Sequence, residues 1–259
     1  GLPDLVTEHV SVPGSAGANA DLKIGSLVAG MIAGADSFED MEVVRHGGMD
    51  KLFAGSRAPS TLGTHLRAYT FGHVRQLDAV ASRFLTALAE RTPVLSSSTS
   101  TTAGTGGYAM VDVDDTIIEV HGHAKQGAGF GYSGVRGLNA LLATVTTSGS
   151  APVVVAQRLR KGSCGSPRGA RRLVADALKT VSTLHGRSDV KPLLRADSAF
   201  YGAPTVGAAL RGGAQVSITV RLDPKVKAAI ATISQEAWTP IEYTDAIFDE
   251  ASGTLPTSS

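Results

Sequence analysis

Hydrophobic positions follow one period in the first third of the chain and another in the remainder. In the first part apolar residues recur three and four apart, over Leu22 to Ala35 and His73 to Thr92, with Gly, Pro and Ser breaks between. In the second of these runs Val74, Leu77, Val80, Ala81, Phe84, Leu85 and Leu88 make a single stripe, with Arg75, Asp78 and Arg83 beside it. Such a stripe predicts a helix that packs on another element. Residues 1–93 are therefore expected to be helical. Residues 94–107 contain the run SSSTSTTAGTGG, too small and polar to bury enough apolar surface to offset the entropy of ordering, and are expected to form a linker. Beyond it the pattern changes to strands at Tyr108 to Val120, Leu138 to Thr147 and Pro152 to Leu159, with connections short enough for an antiparallel meander. Ser166 and Pro167 then predict a helix start, and Leu173, Val174, Ala177, Leu178, Val181 and Leu184 give its buried stripe, closed by Gly186. A strand over Val190 to Ala196, a helix over Pro204 to Arg211, a strand over Ala214 to Val220 and a helix from Asp223-Pro224 to about Ser234 complete the series.

Composition narrows the class. At 42% hydrophobic and 18% charged residues the chain is expected to fold around one or two buried cores. There is no apolar run of the roughly 18 to 20 residues a membrane span requires, and no secretion signal, which points to the cytoplasm. The single cysteine, Cys164, allows neither an internal disulfide nor a cysteine zinc cluster and reads as an inert thiol. The net charge of +1 says nothing about nucleic acid, because clustering matters and the total does not. Clustering is found from Arg158 to Arg172, where Arg158, Arg160, Lys161, Arg168, Arg171 and Arg172 occur without an acidic residue. A solvated face would explain them; six positive charges without a counter-charge favour phosphate contacts.

The order β-β-β-α-β-α-β-α predicts an α/β fold, a mixed sheet of the ribonuclease H-like kind with helices on its faces, preceded by an all-helical N-terminal region. In that arrangement the first and fourth strands are neighbours. The first carries Asp112, Asp114 and Asp115 within VDVDDT, although Asp is disfavoured in strands and an unpaired buried carboxylate costs several kcal/mol. Taken alone the cluster is equally a solvated strand end. Asp197, at the end of the fourth strand, favours a site: two strand-borne carboxylates side by side begin an oxygen-ligand site for Mg²⁺ or Mn²⁺. Two such ions about 3.5–4 Å apart serve phosphodiester transfer. A competing reading takes Asp112 as nucleophile and Asp114 as general acid in the DxDxT pattern of haloacid-dehalogenase-like phosphatases, a motif normally followed directly by a helix, whereas a glycine-rich loop and strands are predicted here. Gly129 to Gly134 matches GxGxxG, but between strands it reads as a hairpin loop near DNA and not as a dinucleotide site. His121 and His123 read as a solvated pair. Ser60-Thr61 is a candidate cap for a helix bearing Arg67, in a helix-turn-helix or in plain helix packing.

Long segments of the chain resemble the DDE transposases of insertion sequences, of the transposase DDE domain group 1 type: ADSFEDMEVVRHGGM, RAPSTLGTHLRAYTFGHVRQLD, VDVDDTIIEVHGHAKQGAGFGYSGVRGLNALLAT and LRADSAFYG. The resemblance implies catalytic, metal-binding roles for Asp114 and Asp197, with Asp115 at a position that is small in the family and Asp112 and Asp115 as accessory candidates. It further implies metal-dependent cleavage and strand transfer of DNA with two Mg²⁺ or Mn²⁺ ions, double-stranded DNA (element ends and target) as partner, and a homodimer on DNA. The family's third carboxylate is a Glu on a helix beyond an inserted segment. Glu236, Glu242 and Glu250 come too early for it, the ending TLPTSS departs from the pattern, and Gly1 is not a start Met. The expectation is therefore a core incomplete at its C-terminus (residues 108–259) that binds DNA without cutting it, either a transposase fragment or a catalytically dead remnant.

Overall fold

The computed structural model describes residues 1–92, 94–95, 108–122, 124–147, 150–185 and 191–239. Of the expectations above, most of the linker, His123, Gly186, Glu242, Glu250 and the TLPTSS ending lie outside the described residues.

The N-terminal region is helical, with α1 (Leu2–His9), α2 (Ala20–Ile32), α3 (Pro59–Arg67) and α4 (Phe71–Ala89) joined by loops and short 3-10 turns. Pro59 occupies the first turn of α3 with Ala58 before it, so Ser60 and Thr61 fall inside the helix and do not cap it. Proline suits that position because the amide it lacks would have no helical partner. Val6, Val10, Val12, Ile24 and Val80 form one apolar cluster, and Leu27, Ala35, Met41 and Leu62 a second. His65, on α3, is fully buried. Its Nδ1 lies 2.7 Å from the Ala16 carbonyl and its Nε2 3.1 Å from the Tyr69 hydroxyl. Burial lowers the His65 pKa and pushes the Tyr69 phenol up to about 12, so a neutral imidazole donates to the carbonyl and accepts from the phenol.

The second region is a six-stranded mixed sheet: β1 (Tyr108–Glu119), β2 (Gly129–Phe130), β3 (Arg136–Thr146), β4 (Val153–Lys161), β5 (Lys191–Ala196) and β6 (Gln215–Ile218). Strand β3 lies between β1 and β4, antiparallel to both, as the meander predicts. On its other side β1 pairs with β5 in parallel, and β5 with β6 in parallel. Apart from the two-residue β2, this is the ribonuclease H-like order. Helix α5 (Ala170–His185) crosses from β4 to β5, and α6 (Ala203–Arg211) from β5 to β6. The core lies between the sheet and these helices: Ala109, Val111, Val113, Leu141, Val145 and Leu194 meet Leu173, Val174, Ala177, Leu178 and Ala208. Helix α5 begins later than predicted. Ser166 and Pro167 belong to a turn closed by Gly169 at φ +86°, a left-handed conformation that glycine adopts without a Cβ clash.

Helix α4 joins the two regions. Its Leu77 and Val80 pack in the helical cluster, while Leu85 packs against the core beneath the sheet. The predicted stripe thus serves two cores. Compact units are formed by Gly1–Thr219 and by Val220–Ser259. The latter contains α7 (Pro224–Ala231), which starts as the Asp223-Pro224 pair predicts, with Asp223 Oδ1 accepting a 2.9 Å bond from the Val226 amide. Among the described residues no helix is long and apolar enough to cross a membrane.

Candidate active site

Alternation along β1 sorts the three carboxylates. Ala109, Val111 and Val113 are buried against the core, so Asp115 continues on that face while Asp112 and Asp114 point to the other.

Asp115 is a structural anchor. It sits opposite Leu141 in the β1–β3 ladder, and its Oδ2 accepts from Arg160 Nη2 at 3.0 Å and from the Asn139 side-chain amide. Arg160, 9% exposed, also donates to Asn139 Oδ1 at 2.8 Å and to the carbonyls of Ser166 and Arg168 at 2.9 and 2.6 Å. One guanidinium therefore ties β1, β3, β4 and the turn before α5 together. These two residues are the buried charges of the site, and each has the paired, hydrogen-bonded surroundings that a buried charge requires.

Asp112 is committed differently. It faces Arg195 across the parallel β1–β5 ladder, and the two form a two-pronged ion pair at 2.7 and 2.8 Å. That hydrogen bond, more than the charge of Asp112, holds the half-exposed Arg195 above its ordinary pKa. The clamp occupies both oxygens that a phosphatase nucleophile would need free, and β1 runs on into strands and not into a helix.

Asp114 and Asp197 are exposed, and among the described residues neither has a cationic partner. The β1–β5 ladder ends with Val113 opposite Ala196, and Asp114 and Asp197 are the next residues along the two segments. Asp114 Oδ1 accepts from the Asp115 amide at 2.7 Å, and Asp197 Oδ1 from the Ala199 amide at 2.9 Å, where it caps a 3-10 turn. Neighbouring carboxylates with spare lone pairs repel each other without a counterion, and as hard oxygen donors they fit a hard divalent cation. No third acidic, His or Cys side chain joins them in a metal-sized group among the described residues. Glu236 lies exposed in the second unit.

The basic run divides in two. Arg158, 12% exposed, points inward and pairs with Asp78 Oδ2 of α4 at 3.3 Å and with Asp176 of α5; Arg160 is taken up by Asp115. Lys161, Arg168, Arg171 and Arg172 are exposed and, among the described residues, make no ion pair. Two of the six cations, Arg158 and Arg160, are thus paired within the fold with partly buried carboxylates. Arg171 and Arg172 instead share a groove of about 810 Å³ with Lys179 and with Arg211 of α6, over a floor of Leu178, Ala208 and Gly212. Lys179 and Arg211 escape a sequence reading because nothing local ties them to the run; only the packing of α5 on α6 places them together. Cys164 is a free, half-buried thiol, and His121 is exposed beside Glu119 at 3.8 Å. Helix α4 is half-buried along most of its length and packs against both cores.

A family model described as the transposase DDE domain matches residues 105–247, more than half of the chain. No curated protein matches. Among solved structures, a piggyBac transposase synaptic complex with hairpin DNA aligns at 12% identity and a TM-score of 0.39, over 96% of this chain and 52% of that one. A Mos1 transposase paired-end complex with the left transposon end aligns at 10% identity and 0.29, over 81% and 64%, and a Mos1 mariner paired-end complex with Mn at 11% and 0.30, over 85% and 66%. The chain spans about half the length of the piggyBac chain.

Proposed function

Because this chain belongs to the transposase DDE domain family, we propose that Asp114 and Asp197 are the paired carboxylates of a divalent-cation site at which DNA phosphodiesters are cleaved and transferred. The observation that supports this most directly is their placement, one step beyond Val113 and Ala196 on adjacent parallel strands, exposed and without a cationic partner among the described residues. Mg²⁺ or Mn²⁺, as two ions, would supply the Lewis acidity that activates the attacking oxygen and stabilises the leaving one. The chain's own residues supply position. The Asp112–Arg195 clamp fixes β1 against β5 one turn of the pleat before the site, and the Asp115–Arg160 pair fixes it one residue after. In the reaction a phosphorus–oxygen bond at the element end breaks as water attacks in line, and the released 3′ hydroxyl then attacks a target phosphodiester in the same manner. Lys161, Arg168, Arg171 and Arg172 hold the DNA backbone, the helical region of residues 1–93 adds DNA contacts, and two copies of the protein act on paired ends.

Two measurements test this reading. In titrations of Mn²⁺ followed by electron paramagnetic resonance, Asp114→Asn and Asp197→Asn each weaken binding at least about tenfold, while Asp112→Asn leaves it nearly unchanged. The reverse ranking of Asp112 and Asp114 would overturn the assignment. For DNA, each phosphate contact contributes about 0.9 to the slope of log affinity against log salt. Replacing Lys161, Arg168, Arg171 and Arg172 together with Ala is expected to reduce that slope by roughly 3 to 4. A slope that does not move would leave these residues as a solvated face.

A further inference from the structure

We propose that Phe130 and Tyr132 form a stacking surface for unpaired DNA bases, at the tip of an arm that projects past the carboxylate pair. The inference rests on the DNA-binding reading above but concerns different residues and a different chemistry.

The arm is defined by where pairing stops. Strand β5 ends opposite Val113, whereas β1 continues with β3 as far as Glu119 opposite Gly137, and β4 accompanies β3 to Lys161 opposite Leu138. The five steps from Asp114 to Glu119 carry the arm about 17 Å beyond the site at about 3.4 Å per residue. That is about five base pairs of duplex. At its end β2 pairs with the start of β3, and β2 with the loop that follows it presents Phe130 at 66% exposure and Tyr132 fully exposed. Large aromatic side chains left in water this way gain from a partner with a flat apolar face.

Two features make the loop a platform for nucleic acid. The first is rigidity. Glycines bring the loop against the turn after β4 so closely that a Cβ on Gly162 would lie 2.1 Å from the Gly137 carbonyl oxygen and 2.3 Å from that of Gly129, and a Cβ on Gly131 would lie 2.5 Å from the Gly162 oxygen. The Gly162 amide also donates to the Gly127 carbonyl at 3.0 Å. The second is charge. No acidic residue occurs between Glu119 and Asp176, and the arm and its bracing turn expose Lys125, Lys161 and Arg168. Exposed aromatic rings in a segment whose charges are all positive suit bases on the rings and phosphates on the cations, and the stacking is tolerant of sequence.

The test compares two probes with the whole chain, a fully paired duplex and the same duplex carrying a six-nucleotide single-stranded tail, by fluorescence anisotropy. The Phe130→Ala, Tyr132→Ala variant is expected to bind the tailed duplex about 5- to 150-fold more weakly than the parent, and the paired duplex within about twofold. Phe130→Tyr, Tyr132→Phe, which keeps both rings, restores the tail preference. Equal affinities of the parent and the Ala variant for the tailed probe would overturn the proposal while salt-dependent duplex binding left the DNA reading standing. No binding to either probe would overturn both. Loss of a dimer in sedimentation velocity with unchanged DNA affinity would also overturn it and assign the rings to self-association.

Discussion

Replacing Arg160 with Met is expected to lower the stability of the fold by about 3–5 kcal/mol, because Asp115 then remains buried without its cation. The arginine is 9% exposed and its partner 14%. The same guanidinium also satisfies Asn139 and the carbonyls of Ser166 and Arg168, so its removal leaves several acceptors unpaired at once. Urea unfolding followed by circular dichroism measures the loss. Arg160→Lys should recover only part of it, since an ammonium cannot reach Asp115, Asn139 and two carbonyls as a planar fork does. Asp115→Leu in the Arg160→Met background should recover more, by removing the stranded charge. Full stability in Arg160→Met would mean that the pair is not the anchor of β1, and Asp115 would return as a possible metal ligand.

A comparable loss, at the lower end near about 3 kcal/mol, is expected for Arg158→Met at pH 7. Arg158 links α4 to α5 through Asp78 and Asp176, and Arg75 remains as a second partner for Asp78 at 2.7 Å. Burial raises the Asp78 pKa above the ordinary carboxylate value, although the charges of Arg158 and Arg75 and the Gln157 side chain pull it back. Burial likewise lowers the pKa of Arg158. The direction of the pH effect follows. A carboxyl whose pKa is raised on folding contributes stability that is complete below the unfolded value, about 3.9, and is lost as pH rises through the folded value. Without Arg158 the Asp78 pKa rises further, so the penalty of the substitution is largest at neutral pH and shrinks as the solution is acidified and Asp78 becomes neutral. Unfolding midpoints of both proteins between pH 4 and pH 7 test this. An unchanged midpoint combined with a flatter salt dependence of DNA binding would assign Arg158 to the DNA surface after all.

Much of the architecture was legible in the chain because short-range pattern carries it. The β-rich run of β1, the apolar run of β3, the stripe of α5, the Asp223-Pro224 start of α7 and the order of strands and helices all follow from local pattern and capping, and that order restricts the sheet to few topologies. The pairing of β1 with β5 was legible for the same reason. Boundaries set by turns were less so. The start of α5 moved from Ser166-Pro167 to Ala170 because the carbonyls of Ser166 and Arg168 are bound by Arg160, a residue of β4.

The division of labour among like residues could be decided only by the tertiary structure. In sequence Asp112, Asp114 and Asp115 are three acids in one strand, and Arg158 to Arg172 is one basic run. Strand alternation separates Asp115 from the other two, but which carboxylate meets an arginine depends on register with β4 and β5, and register is a property of the assembled sheet. Among the described residues, charge pairing then leaves without an ion-pair partner Asp114 and Asp197 among the acids of the site, and Lys161, Arg168, Arg171 and Arg172 among the bases. A buried charge must find its counterion whereas an exposed one need not, and burial is decided by packing between segments far apart in the chain.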